Sequence, residues 1–202
     1  MSAIEVKNLS RNYGDIDAVK DVSFTVPEKS FTVLLGPSGC GKSTILKMLS
    51  GLEQVSQGTI NIGGSDVTEI EASKRGVSMV FQSYALFPHL NVKENIQFGL
   101  KVRKVPAEER EKKVKDAANV VGLTDLLDRK PANLSGGQRQ RVALARSIVS
   151  EQSVCLMDEP LSNLDSKLRA EMRDEIRDLQ KRLGLTVVYV THDQVEAMSM
   201  AD

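Results

Sequence analysis

Residues 31–50 read FTVLLGPSGCGKSTILKMLS: an apolar run, a glycine-rich octet and a helical pattern in direct succession. The octet Gly36–Ser43 satisfies G-x-x-x-x-G-K-[ST] at every fixed position, and it lies between a strand and a helix, the context the motif requires. Its glycines let consecutive backbone N–H groups turn inward onto phosphate oxygens. The helix opening near Lys42 adds the positive end of its dipole. Lys42 neutralises β/γ-phosphate charge, and Ser43 offers a hydroxyl to Mg²⁺. The expected nucleotide contacts are Gly36, Pro37, Ser38, Gly39, Cys40, Gly41, Lys42, Ser43 and Thr44. Average glycine usage gives such a pattern by chance in on the order of one chain in a hundred. The flanking strand and helix lower that further, and point to an α/β fold whose ligand sits at the C-terminal ends of parallel strands.

A phosphate cradle needs an acid at the exit of a second buried strand, and Ser153-Val-Cys-Leu-Met-Asp158-Glu159-Pro160 supplies two. Asp158 is expected to hold Mg²⁺ through its water shell, and Glu159 to polarise an attacking water.

Periodicity places these motifs on a frame. Ile4–Leu9 alternates as a half-exposed strand, and Val22, Phe24 and Val26 repeat the pattern. Phe31–Leu35, Thr59–Ile62, Val77–Phe81, Ser153–Met157 and Thr186–Val190 read as further strands. Helices are expected over Lys42–Leu49 (ended by Gly51), across Val92–Leu127 with a start at Pro106, and over Gln138–Val149. A stripe at Leu168, Met172, Ile176, Leu179 and Leu183, closed by Gly184, gives another, and Gln194–Met200 a last one. Early antiparallel strands followed by strand–helix alternation predict a mixed β-sheet core with an N-terminal antiparallel part. The stretch 84–133 is expected to be a helical subdomain inserted into a core of 1–83 and 134–202.

Composition excludes several classes. Lys+Arg and Asp+Glu are both 27, which argues against a polyanion-binding surface spread over the whole chain while leaving room for a local phosphate site, and no nucleic-acid partner is expected. No apolar run exceeds four residues, so neither a membrane-spanning helix nor a secretory signal is expected. Two cysteines, Cys40 and Cys155, are too few for a disulfide framework, which points to a reduced, cytosolic setting.

Leu134-Ser135-Gly136-Gly137-Gln138 resembles the LSGGQ signature of the ATP-binding cassette (ABC) ATPases, and it lies between the phosphate loop and Asp158-Glu159, as in that family. The resemblance spans essentially the whole chain and implies the ABC cassette variant of the P-loop NTPase fold, with ATP and Mg²⁺ as cofactors. It implies that Tyr13 stacks on adenine and that Gln82 is the lid glutamine sensing Mg²⁺. It makes Ser162-Asn-Leu-Asp165 the dimer-contacting D-loop and His192 the switch histidine. Ser135, Gly136, Gly137, Gln138 and Asp165 would then meet the nucleotide of a facing cassette, head to tail, in a homodimer or paired cassette. Taken alone, Ser135 is a helix N-cap whose glycines expose N–H groups.

Ser83–Leu90 and Val190–Ala197 are similar to the ATPase subunits of binding-protein-dependent importers, with sugar or glycerol phosphate as the first choice of solute. The partners implied are integral membrane permease subunits and, indirectly, a substrate-binding protein, on the inner face of the cell membrane. Tyr84–Leu90 is expected either to form a groove for a permease helix or to pack inside the helical subdomain. Relatives of this type continue into a C-terminal regulatory domain, whereas this chain stops at Asp202, ten residues after His192; that domain is expected to be absent. Two other functions stay open. One is a soluble ABC ATPase of repair or translation, disfavoured because only 52 positions separate Gln82 from Leu134. The other is a truncated, non-catalytic cassette that binds nucleotide or pairs with intact subunits.

Overall fold

The computed structural model describes residues 2–202. In chain order its elements are β1 (Ser2–Tyr13), β2 (Ile16–Pro27), β3 (Phe31–Leu35), α1 (Lys42–Ser50), β4 (Gln57–Ile62), β5 (Ser65–Asp66) and β6 (Val77–Val80). Then follow α2 (Val92–Val102), α3 (Ala107–Val120), α4 (Gly136–Val149), β7 (Val154–Asp158), α5 (Ser166–Leu183), β8 (Thr186–Thr191) and α6 (Gln194–Met200). The chain divides into two compact units. One holds the residues up to Met79, Ser153–Glu159 and Arg173–Asp202; the other holds Val80–Gln152 and Pro160–Met172.

The first unit is built on sheets of two kinds. An antiparallel sheet has the order β2-β1-β4-β5, and a second sheet the order β3-β8-β7-β6. In the latter β8 pairs in parallel with both β3 and β7. A strand buried on both faces should be apolar throughout, and all six residues of β8 are buried. Ile45, Leu46, Met48 and Leu49 of α1 bury one face in the same core as Leu156, Val188 and Val190. The buried Arg75 guanidinium closes the end of that helix, donating to the carbonyls of Met48 (2.5 Å) and Leu49 (3.3 Å).

Simple alternation does not describe β1. Val6 and Leu9 are both buried although three residues apart, which strict period-2 geometry forbids. The register shifts between them, and Asn8 takes a positive φ of 49°. Asn8 is held by Ser23 Oγ and Asp21 Oδ1 at 2.8 and 2.7 Å. This bulge returns Leu9 to the core face.

The second unit packs α2, α3 and α4 against one another. The helical pattern expected over 92–127, with its start at Pro106, is two helices. The break falls at Lys104, with φ 58°, and Val105, which precedes Pro106 and is thereby steered away from helical geometry. Capping boxes start α2 (Asn91 with Glu94) and α4 (Ser135 with Gln138). Among the described residues, no helix is long and apolar enough to cross a membrane.

Candidate functional site

The loop between β3 and α1 forms a cradle in the first unit. Ala18, Ser38, Gly39, Gly41, Lys42, Ser43, Thr44 and Glu159 line a cavity of about 190 Å³. That is below the range of about 300–1,000 Å³ for pockets enclosing a whole drug-sized ligand, so the cavity suits a phosphate tail with the rest of the ligand outside. The loop turns through Gly39 and Gly41, at φ 82° and 95°. Lys42 is buried, and its Nζ donates to the carbonyls of Gly36 and Pro37, each at 2.8 Å, and to Cys40 Sγ at 3.8 Å.

Two strand ends supply the polar groups facing the cradle. Ser43 Oγ donates to Asp158 Oδ1 at 2.7 Å. A hydroxyl beside a carboxylate is a donor set suited to a hard, oxygen-seeking cation such as Mg²⁺. Among the described residues there is no group of three or more His, Cys, Asp or Glu that could bind a metal by itself. Glu159 follows at φ 43°, an uncommon conformation for glutamate. Its N–H donates to Val190 O at 3.1 Å, tying it to the end of β8. His192 Nδ1 lies 3.1 Å from Glu159 Oε2.

Tyr13, at the end of β1, is 45% exposed, so much of its surface is open. Two residues the sequence did not single out hold it. Its hydroxyl donates to Glu53 Oε2 at 2.6 Å, and the Arg11 guanidinium stands 4.5 Å from its ring centroid while pairing with Glu53 at 2.8 Å. The Tyr13 hydroxyl, with the Arg11 charge, holds the Glu53 carboxyl below the usual glutamate range. Only the i, i+2 spacing of Arg11 and Tyr13 on one strand face hints at this; Glu53 is distant in sequence.

The remaining assignments lie in the second unit. Gln82 Nε2 donates to Ser162 Oγ at 3.2 Å, and Asn163 Nδ2 to Gln82 O at 2.8 Å, so side chain and backbone are both tied to the 162–165 loop. Asp165 Oδ1 accepts from Leu168 N at 3.0 Å, an N-terminal cap. Ser135 Oγ accepts from Gln138 N at 3.2 Å while Gln138 Oε1 accepts from Ser135 N at 2.9 Å. This capping box leaves the amides of Gly136 and Gly137 outside it. A Cβ at Gly136 would stand 2.8 Å from Leu164 Cδ2, and one at Gly137 3.2 Å from Leu168 Cδ1, so a side chain at either position would make those leucine ends shift.

Part of Tyr84–Leu90 packs inside the helical unit, one of the two expectations. Tyr84 is buried, and Asn95, fully buried, donates to the carbonyls of Phe87, Leu90 and Asn91. Phe87 stacks on the exposed Phe98 at 4.3 Å and lies under Arg146.

With this geometry in place, comparison with known proteins defines the class. A family model described as "ABC transporter" matches residues 19–162, and the chain belongs to that family. It is 54% identical over its whole length to the maltose/maltodextrin import ATP-binding protein MalK of Vibrio cholerae. It is 52% identical to the sn-glycerol-3-phosphate import ATP-binding protein UgpC 1 of Rhizobium etli. The chain spans 54% and 58% of those proteins, a little over half their length. The structure of cbiO1 from Clostridium perfringens, described as part of the ABC transporter complex cbiONQ, superposes with a TM-score of 0.88 at 30% identity. That match covers all of this chain and 82% of the other. The fold is therefore the ABC cassette, with antiparallel and parallel sheets and a set of helices.

Proposed function

We propose that this chain is the ATP-hydrolysing cassette of a binding-protein-dependent importer. The observation that carries the reading is the convergence of three parallel strand ends on one cradle. β3 leads into the phosphate loop, β7 delivers Asp158 and Glu159, and β8 delivers His192. Lys42 and the loop amides would bind the phosphate tail, and Tyr13 would stack on the adenine. Ser43 and Asp158 would hold Mg²⁺, with Gln82 as its sensor; the cation supplies charge neutralisation at the phosphates. Glu159 accepts a proton from the attacking water, and His192 orients that carboxylate.

The helix N-terminus at Ser135–Gln138, with Asp165, supports assembly as a head-to-tail pair of cassettes, because first-turn amides outside the capping box can receive a phosphate. Tyr84–Leu90 with Phe98 supports docking on a membrane permease at the inner face of the membrane. The names of the relatives favour a sugar or glycerol phosphate as solute, delivered by a substrate-binding protein.

The test is Glu159→Gln. The amide keeps the size of the side chain but takes up no proton, so ATP binding is retained while hydrolysis falls about 10²-fold or more. Sizing chromatography with Mg-ATP should show the variant as a dimer. Hydrolysis at a near wild-type rate would refute the assignment.

A further inference from the structure

Thr191, the last residue of β8, and Asp193 flank His192, and Thr191 is held by the carboxylate of a buried acid the mechanism above does not use. Glu196, in the first turn of α6, is 3% exposed. Its Oε2 accepts from Thr191 Oγ1 at 2.6 Å and from Tyr189 Oη at 3.0 Å. Tyr189 and Thr191 are two apart on the strand, so they present to the same side. Thr191 Oγ1 also accepts from Asp193 N at 3.0 Å. Asp193 Oδ1 in turn accepts from Glu196 N at 3.2 Å and from Val195 N at 2.7 Å.

These bonds close a cycle. Thr191 donates to Glu196, Glu196 donates through its backbone to Asp193, and Asp193 donates through its backbone to Thr191. A hydroxyl has one proton, so giving it to a carboxylate turns the Thr191 lone pairs towards the Asp193 N–H. The cycle spans residue 192 without including it. Its side chain is half exposed and meets Glu159 Oε2 at 3.1 Å. Capping α6 requires only Asp193. A buried carboxylate is expensive to place, and the extra bonds it makes here fix the strand end that carries the histidine.

We propose that Glu196 is a positioning residue for His192, acting through the Thr191 hydroxyl. The inference rests on the hydrolytic reading above. The test uses Thr191→Val, which removes the hydroxyl at nearly constant volume, and Thr191→Ser, which keeps it. Thr191→Val should lower kcat for ATP hydrolysis ~10-fold or more with KM unchanged, because a misplaced catalytic group loses rate rather than binding. Thr191→Ser should recover most of the rate. Combined with His192→Ala, Thr191→Val should add no further loss, since both act on one group. The chain has two histidines, so NMR can follow each ring. Thr191→Val should move the His192 Cε1–H resonance and leave that of His89 in place. If Thr191→Val does not fold, Glu196→Gln serves in its place with the same readouts. An unmoved His192 resonance, or losses that multiply in the double variant, would overturn the proposal. If His192→Ala and Glu159→Gln both hydrolyse ATP normally, the hydrolytic reading fails, while the His192 resonance still decides whether the clamp exists.

Discussion

Alanine at Gly41 should destabilise the protein distinctly more than alanine at Gly39, although both glycines sit in one loop with positive φ. At Gly39, φ is 82° and a Cβ would meet nothing within 4 Å. Only conformation opposes the change. A left-handed residue with a side chain costs about 1–2 kcal/mol, offset by about 0.4–1 kcal/mol because alanine constrains the unfolded chain. The net loss expected at Gly39 is therefore about 1 kcal/mol. At Gly41, φ is 95°, and a Cβ would stand 2.5 Å from the carbonyl oxygen of Ala18 and 3.1 Å from Val19 Cγ2. Backbone on β2 is not free to swing aside as the end of a long side chain is. Relieving such overpacking costs about 1–3 kcal/mol, so Gly41→Ala should lose about 2–4 kcal/mol in all. With an m-value of about 2 kcal/mol per molar, the two urea midpoints should differ by about 0.5–1.5 M. Unfolding followed by circular dichroism measures this directly. Coincident midpoints would mean that the loop lifts away from β2 at little cost, and the close approach of Gly41 to Ala18 would not constrain the cradle.

Lys42→Ala should weaken nucleotide binding more than Tyr13→Ala: a charge-assisted contact is worth about 1.5–3 kcal/mol per hydrogen bond and engages several phosphate oxygens, while a lost stack costs about 1–3 kcal/mol in total. Titration with a fluorescent ATP analogue gives the order, and its reversal would mean the cradle is misassigned. Cys40 is exposed beside Lys42, whereas Cys155 is buried, so maleimide should label Cys40 first and ATP should protect it; mass spectrometry showing Cys155 labelled first contradicts this. Glu53 is held below the usual glutamate range, chiefly by the Tyr13 hydroxyl. The ionised carboxylate's hold on Tyr13 is thus fully present above the ordinary glutamate pKa and is lost as pH falls through the lowered one. The ratio of wild-type to Glu53→Gln nucleotide affinity should therefore stay constant from pH 8 to about 6; a steady decline over that span would count against this role for Glu53.

What could be read from the sequence follows from where each constraint is written. The phosphate loop is contiguous, and its glycines answer to local backbone geometry, so eight residues announce it. The exit acids Asp158 and Glu159 were legible because the apolar run before them ends abruptly. The bulge at Asn8 was not, since it depends on Ser23 and Asp21 across the sheet. Glu53 was invisible for the same reason: its tie to Tyr13 closes over forty positions. The split between α2 and α3 is partly written at Pro106, which marks a start and steers Val105 out of helical geometry. In the sequence, Gly136 and Gly137 speak only for free helix amides. The approach of Leu164 and Leu168, which crowds a side chain at either position, comes from tertiary packing alone.

Strand register is what brings these scattered pieces together. Leu35 pairs with Thr191 and Asp158 with Val190, so the exits of β3, β7 and β8 lie within about one residue of a common level. At about 3.3 Å per residue, slipping β7 by two positions would preserve which faces its side chains occupy yet carry Glu159 some 6–7 Å along the strand. The hydrophobic pattern of VCLM tolerates that slip poorly, because every residue in it is buried. The bond from Glu159 N to Val190 O then fixes the last step, holding glutamate in a left-handed conformation it would otherwise avoid. Core packing thus sets the level to within a residue, and strain at Glu159, stabilised by that packing, sets the direction of the carboxylate towards His192.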